Sequence, residues 1–230
     1  MKTLLLSLAF LFFSILSFAQ DKITGFGKLQ LGITVNDIPE LSNAKKISSF
    51  DQFYSIVYVN RSRSAYEVVC DTAEQYPQGY YDTRVRQFQI GNYDLTDKIN
   101  VKDITLKFFN DTLFFIQIGD TKMSELMKTK YGEGKTDLKE EEHTFQNGYG
   151  AKFIKTDQKF ITEWNAGSPN VECRSVLSSF YNDSGKQLIV NYALLQNTSH
   201  NEDIRTTNNM IIERIAKNKA DKKKAELGGF

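Results

Sequence analysis

The sequence predicts an α+β fold, a mostly antiparallel β-sheet with two or three helices that include a C-terminal one. One observation is a hairpin pattern, in which apolar runs at 104–109 and 113–118 flank the turn Asn110-Asp111. The other is a helical spacing of apolar residues over 207–226. Because a tight turn joins antiparallel strands, the hairpin indicates an antiparallel sheet against which helices pack.

The sequence of the N-terminal part of the domain predicts a short strand and a capped helical turn. Residues 28–32 alternate and end at a glycine, which favours a short strand. Thr34 and Asp37 have the spacing of a capping box, and a short helix is expected to continue to Leu41.

The middle of the chain predicts a second hairpin, an extended segment and a helix. Residues 53–59 and 65–70 are the hairpin strands, and 84–90 follow as an extended segment after a tyrosine-rich loop. Residues 121–131 have apolar positions on one face, and Gly132 stands where a helix would end.

The C-terminal half predicts strands and a final helix. Residues 139–143 are interpreted as an acidic link. The final helix, 207–226, should place apolar residues on one face. That face comprises Ile211, Ile212, Ile215, Ala216 and Ala220, and the strands are expected at 150–155, 160–165, 171–181 and 187–195. We expect 20–230 to form a single domain.

The first residues have the order of a secretory signal peptide. Lys2 precedes an apolar run over 4–16, and small residues lead to Ala19. The run is shorter than the ~20 residues that a membrane-spanning helix needs. We therefore expect cleavage near Ala19, an exported chain that is periplasmic or secreted, and no transmembrane segment after 1–19.

Composition and cysteines limit the partners. Without Lys2, the chain has 28 basic and 28 acidic residues, which is not the charge of a nucleic-acid-binding surface.

Cys70 and Cys173 both lie in expected strands, and disulfides persist in exported proteins. Two alternatives stay open: a disulfide between them, or two separate core residues.

Familiar catalytic and metal-binding motifs do not occur in the sequence. His143 and His200 have no second ligand at metal spacing, so no metal or cofactor is predicted. No nucleophile elbow, phosphate-binding loop or Cys-x-x-Cys pair is present, and no catalytic residue is assigned. Carboxylates of Asp71, Glu74 and Asp82 could meet only through the fold.

Several segments resemble small exported proteins of Gram-negative bacteria that have no known activity. These are the strand 111–116, the helix and Lys-Tyr-Gly turn over 125–132, the Trp164 strand 162–164, and the helix start at 31–34. The resemblance covers about a third of the chain. It implies an exported location and an α+β architecture, and no catalytic residue.

The tyrosine-rich loop is the best binding candidate. Tyr76, Tyr80 and Tyr81 offer stiff aromatic surface with polar tips, although packing of the core is the alternative. A lysine-rich run over 217–224 complements the dipole of the last helix or contacts an acidic partner. The leading hypothesis is a non-enzymatic binding or envelope-associated module whose partner is an envelope protein or glycan. The alternative is a hydrolase of an envelope glycan or peptide that uses two carboxylates across a cleft.

Overall fold

The computed structural model describes residues 22–48, 64–70, 80–146, 149–182 and 184–227. The predicted signal peptide 1–19, the strand 53–59 and Tyr76 lie outside the described residues. So do Asp71 and Glu74.

The described residues form eleven strands and two α-helices, joined in part by short 3-10 turns at Val35–Asp37, Pro39–Leu41 and Thr198–His200. The helices are α1 (Met123–Tyr131) and α2 (Asn201–Leu227). The strands are β1 (Gly25–Phe26), β2 (Leu29–Gln30), β3 (Lys45–Ser48), β4 (Ala65–Val69), β5 (Val85–Thr96), β6 (Ile99–Phe109), β7 (Thr112–Ile118), β8 (Lys135–Gln146), β9 (Lys152–Asn165), β10 (Val171–Tyr181) and β11 (Gln187–Asn197).

Nine of the strands form one sheet, in the order β3-β4-β5-β6-β7-β11-β10-β9-β8, and β1 pairs with β2 separately. Only β3 and β4 are parallel neighbours, so the sheet is mostly antiparallel. The broad α+β class is confirmed. The predicted β6–β7 hairpin is also confirmed, and its turn residues Asn110 and Asp111 have φ values of 48° and 61°. Asparagine and aspartate tolerate this left-handed region better than most residues.

The predicted N-terminal helix needs modification. Thr34 and Asp37 do interact, since the Asp37 carboxylate accepts hydrogen bonds from the Thr34 N–H and hydroxyl at 2.7 and 2.8 Å. These bonds lower the pKa of Asp37. The turn they begin is a 3-10 turn that stops before Pro39, because proline offers no N–H to extend it.

The predicted acidic link at 139–143 is wrong, because these residues lie within β8. Their backbone pairs along β9, which runs unbroken through the two strands predicted at 150–155 and 160–165. A strand at the edge of a sheet can be polar on both faces, and β8 is exposed over most of its length. Because most of its side chains are polar or charged, β8 has no alternation of apolar residues from which a strand could be predicted.

The C-terminal helix also differs from its prediction. α2 begins at Asn201, ahead of the expected Thr207, with Glu202 and Asp203 in its first turn. Acidic side chains at a helix N-terminus stabilise it through the helix dipole. Over 201–226, where burial is described, only Ile204 is buried, and Ile211 and Ile215 are half-buried. The predicted apolar face therefore includes residues that do not pack, since Ile212, Ala216 and Ala220 are exposed.

The sheet has a packed layer on each face. Phe88, Phe108 and Trp164 belong to the main core, which also includes the N-terminal segment and α1, and we call this side the α1 face. Val85 and Phe109 are chain neighbours of residues on that side, so their side chains point to the other face. There they pack with Phe114 and with Ile204 of α2, and we call this side the α2 face.

In the structure, Cys70 and Cys173 are two separate residues. Cys173 lies in β10 and is buried in the main core, where burial raises the pKa of its thiol to about 12. Cys70 directly follows β4, and four strands of the sheet lie between β4 and β10. Because neighbouring strands lie about 4.8 Å apart, this separation exceeds the ~7 Å that a disulfide permits between Cα atoms. The structure accordingly contains no Cys70–Cys173 bridge.

The turn after α1 yields a paired stability prediction. Gly132 and Gly134 both have positive φ, at 85° and 71°. A Cβ on Gly132 would meet nothing within 4 Å, whereas one on Gly134 would lie 2.8–2.9 Å from Thr162, Glu163 and Trp164. Alanine at either position costs about 1–3 kcal/mol for the backbone conformation. We expect Gly134→Ala to lose about 1–3 kcal/mol more, through overpacking. Urea unfolding of the two variants measures the difference, and equal losses would contradict the described packing.

Candidate functional site

A cleft of about 310 Å³ lies on the α2 face, between the first turns of α2 and strands β6, β7 and β11. We call it the α2 cleft. Its lining combines aromatic side chains, two cations and four amides. The aromatic residues are Tyr80, Phe114 and Phe115, the cations are Lys107 and Arg205, and the amides are Gln196, Asn201, Asn208 and Asn209, with Ile204 completing the wall.

Arg84 fastens α2 to the sheet beside this cleft. Its guanidinium binds the carboxylates of Asp82 and Asp203, each with a closest N–O distance of 2.9 Å, and donates to the Thr207 hydroxyl at 2.8 Å. The same group lies 5.0 Å from the centre of the Phe109 ring. Since Asp82 is only 2% exposed, Arg84 neutralises a buried charge while it holds the first two turns of the helix.

The electrostatics of Arg84 agree with this role. The hydrogen bonds that Arg84 donates to Asp82 and then to Asp203 raise the pKa of Arg84, so its charge is permanent. The Arg84 hydrogen bond lowers the pKa of Asp203 in turn. Arg84 and Asp203 are therefore both charged at neutral pH.

Two further contacts fix the start of α2. The His200 ring stacks on Phe109, with ring centres 4.6 Å apart and planes 24° from parallel. The backbone N–H of Tyr81 donates to Asn208 Oδ1 at 2.7 Å. Together with Arg84, these contacts hold the start of α2 against strand β6 and the segment 80–84.

Lys107 is the charged group inside the α2 cleft. It is half-buried, and its Nζ donates to the Tyr80 hydroxyl at 3.0 Å. The same ammonium lies 4.3 Å from the centre of the Phe115 ring, a cation–π distance. Among the described residues, no carboxylate forms an ion pair with Lys107. The aromatic neighbours therefore orient the ammonium, and its charge has no counter-ion among the described side chains.

Arg205 differs from Lys107 because its charge is already paired. Its guanidinium forms a bidentate contact with Glu202, one turn earlier on α2, at 2.8–3.2 Å. It is also largely exposed. Gln196 donates to Glu172 on the neighbouring strand at 2.6 Å. Lys107 is thus the positive charge that the cleft offers to a ligand.

The predicted tyrosines have separate positions. Tyr80 lines the cleft and holds Lys107 through its hydroxyl, whereas Tyr81 contacts α2 through its backbone N–H. No motif in the sequence distinguishes Lys107, which stands between two buried residues of a hairpin strand. The only available signal was a lysine within the largely apolar run 104–109.

Neither histidine takes part in a metal centre in the part of the chain that the structure describes. His143 lies across the β8–β9 pair from Asp157, with Nε2 and Oδ2 3.1 Å apart, and His200 stacks on Phe109. No group of three or more His, Cys, Asp or Glu side chains converges among the described residues. Within the same residues, no helix combines the length and the apolarity needed to cross a bilayer.

Comparison with known proteins found no match among protein-family models, curated proteins or solved structures. The function must therefore be inferred from the cleft itself.

Proposed function

We propose that this chain is an exported, non-enzymatic module that binds an acidic glycan in the α2 cleft. The observation that supports this most is the Lys107 ammonium, which Tyr80 and Phe115 hold in a half-buried cleft without a carboxylate partner among the described residues. A half-buried cation without a counter-ion attracts an anionic ligand group, and its hydrogen bonds are stronger than those of neutral donors.

The remaining lining suits a sugar acid better than a simple ion. Tyr80 and Phe115 offer aromatic surface against which the apolar face of a sugar ring can pack. The amides of Asn208 and Asn209 provide donors and acceptors that can bind sugar hydroxyls. A carboxylate-bearing sugar would engage the cation, the aromatic surface and the amides together.

Binding has more support here than hydrolysis. A carboxylate-dependent glycosidase needs two acidic groups across the cleft, about 5–9.5 Å apart. The described lining of the α2 cleft includes no aspartate or glutamate. The nearby carboxylates of Asp82 and Asp203 both bind Arg84, so their visible role is to fix α2.

The exported location is part of the same proposal. The order of residues in 1–19 and the resemblance to small exported proteins support it. An envelope or extracellular glycan would then be the accessible ligand. Mass spectrometry of the protein from the envelope fraction tests the location. We expect the mass of a chain that begins at Gln20, and the mass of a chain that still includes Met1 would contradict export with cleavage.

Calorimetric titration with trigalacturonate and with its methyl ester tests the ligand class. The two probes share the sugar backbone and differ in charge. We expect the acid to bind at least about tenfold more tightly, since a hydrogen bond to a charged group contributes about 1.5–3 kcal/mol. Equal affinity for both probes, or no binding of either, would contradict the proposal.

A further inference from the structure

We propose a second ligand site on the α1 face, an apolar pocket that takes the alkyl chain of an anionic amphiphile while Lys130 binds its acidic head. The pocket has a volume of about 280 Å³ and lies between α1 and the end of the β5–β6 hairpin. We call it the α1 pocket. It lies on the opposite face of the sheet from the α2 cleft, so this site is independent of the proposed function.

The walls of the α1 pocket are almost entirely apolar. Met123 and Met127 of α1, together with Phe26 and Leu95, are buried in the main core and present part of their surface to the pocket. Leu126 and Ile99 are half-buried and lie nearer the solvent. Methionine side chains adapt to ligands of varied shape, which favours an alkyl chain over a rigid polar molecule.

The size of the pocket limits the occupant. Sites for drug-sized molecules usually measure about 300–1,000 Å³, and the α1 pocket is slightly smaller. One unbranched chain fits such a volume better than a fused ring system or a diacyl lipid. Each buried CH₂ group tightens binding about fourfold, which gives useful affinity to a monomeric amphiphile.

Charge at the mouth selects an acidic head group. Lys130 is the one charged residue in the described lining, it is exposed, and its Nζ lies 5.1 Å from the centre of the Tyr131 ring. No described carboxylate forms an ion pair with it. Lys128, on the same helix, is paired with Glu133 at 3.2 Å and lies outside the lining. The mouth therefore has one uncompensated positive charge directly beside an apolar wall.

Titration of the full-length protein with dodecanoate, below its critical micelle concentration, tests this site, with dodecanol as the uncharged probe. We expect one dodecanoate to bind per chain. Lys130→Glu should weaken dodecanoate binding about threefold, within the range of an exposed ion pair, and leave dodecanol unchanged. Lys128→Glu, the matched control, should change neither. Leu126→Asp should weaken both probes, because it places a polar group in the apolar wall.

Three results would overturn the inference. The first is that dodecanoate, at the limit of its own solubility, fails to bind the folded protein. The second is that Lys128→Glu weakens dodecanoate binding as much as Lys130→Glu does. The third is that the protein binds only vesicles of anionic lipid and no monomeric dodecanoate. The last result would identify a membrane surface as the partner. Circular dichroism of each variant shows that it is folded. Because the α2 cleft is on the other face, trigalacturonate binding in the same variants separates failure of this site from failure of the proposed function.

Discussion

Replacing Arg84 by methionine is expected to release the start of α2 and destabilise the whole domain. Methionine keeps much of the packing against Phe109 but leaves the buried carboxylate of Asp82 without its cation. Loss of the partner of a buried charge destabilises a fold, and water reduces the loss here because the Arg84 side chain is 36% exposed. Urea unfolding measures the loss, and hydrogen exchange of the amides around Ile204 measures release of the helix.

The double variant Arg84→Met with Asp82→Asn is the matched control for this experiment. It removes the orphaned charge, so we expect it to be more stable than Arg84→Met alone. If the two variants are equally stable, Arg84 does not neutralise a buried carboxylate and its proposed structural role is wrong.

The effect of Arg84→Met should depend on pH. Arg84 lowers the pKa of Asp203 in the folded protein, so their pair stabilises the fold above the ordinary pKa of about 3.8. This contribution is lost as the pH falls through the lowered value. The stability difference between wild type and Arg84→Met should therefore be largest near neutral pH and shrink below about pH 4.

Replacing Lys107 by methionine is expected to remove most binding of trigalacturonate. The ammonium would be the only unpaired cation in the described lining, and a hydrogen bond to a charged group contributes about 1.5–3 kcal/mol. The dissociation constant should therefore rise about tenfold to hundredfold. Calorimetry measures the change, and affinity for the methyl ester should change little.

Lys102→Met is the matched control for Lys107→Met, because it removes the same charge from an exposed position of the same strand. We expect it to bind trigalacturonate like wild type. If both variants lose affinity equally, the ligand responds to overall charge and not to the α2 cleft. Lysines 217–224 of α2 are exposed and are the first alternative binding surface in that case.

Local patterns predicted most of the sheet. The β6–β7 hairpin and the β10 strand follow from apolar runs and turn residues that lie close together in sequence, so their signals survive without tertiary information. The same holds for α1, which ends at Gly132 as predicted. β8 was missed because an exposed edge strand needs no apolar face and obtains its stability from pairing with β9.

The candidate site could not be predicted because its parts meet only through distant contacts. Arg84 and Asp203 are 119 residues apart in sequence. Lys107 lies on the β6–β7 hairpin, whereas many of the residues that complete the cleft belong to α2. The aromatic character of Tyr80 was visible in the sequence. Its partnership with Lys107 depends on where β6 lies in the sheet, and strand order is set by the packing of the whole domain.

The most direct test of the α2 cleft is an NMR titration of the isotope-labelled protein with trigalacturonate. We predict that the side-chain amide signals of Gln196, Asn208 and Asn209 and the backbone signal of Lys107 shift together and saturate at one ligand per chain. Shifts confined to residues 217–224 or to β8, or shifts that do not saturate, would contradict a specific acidic-glycan site between α2 and the sheet.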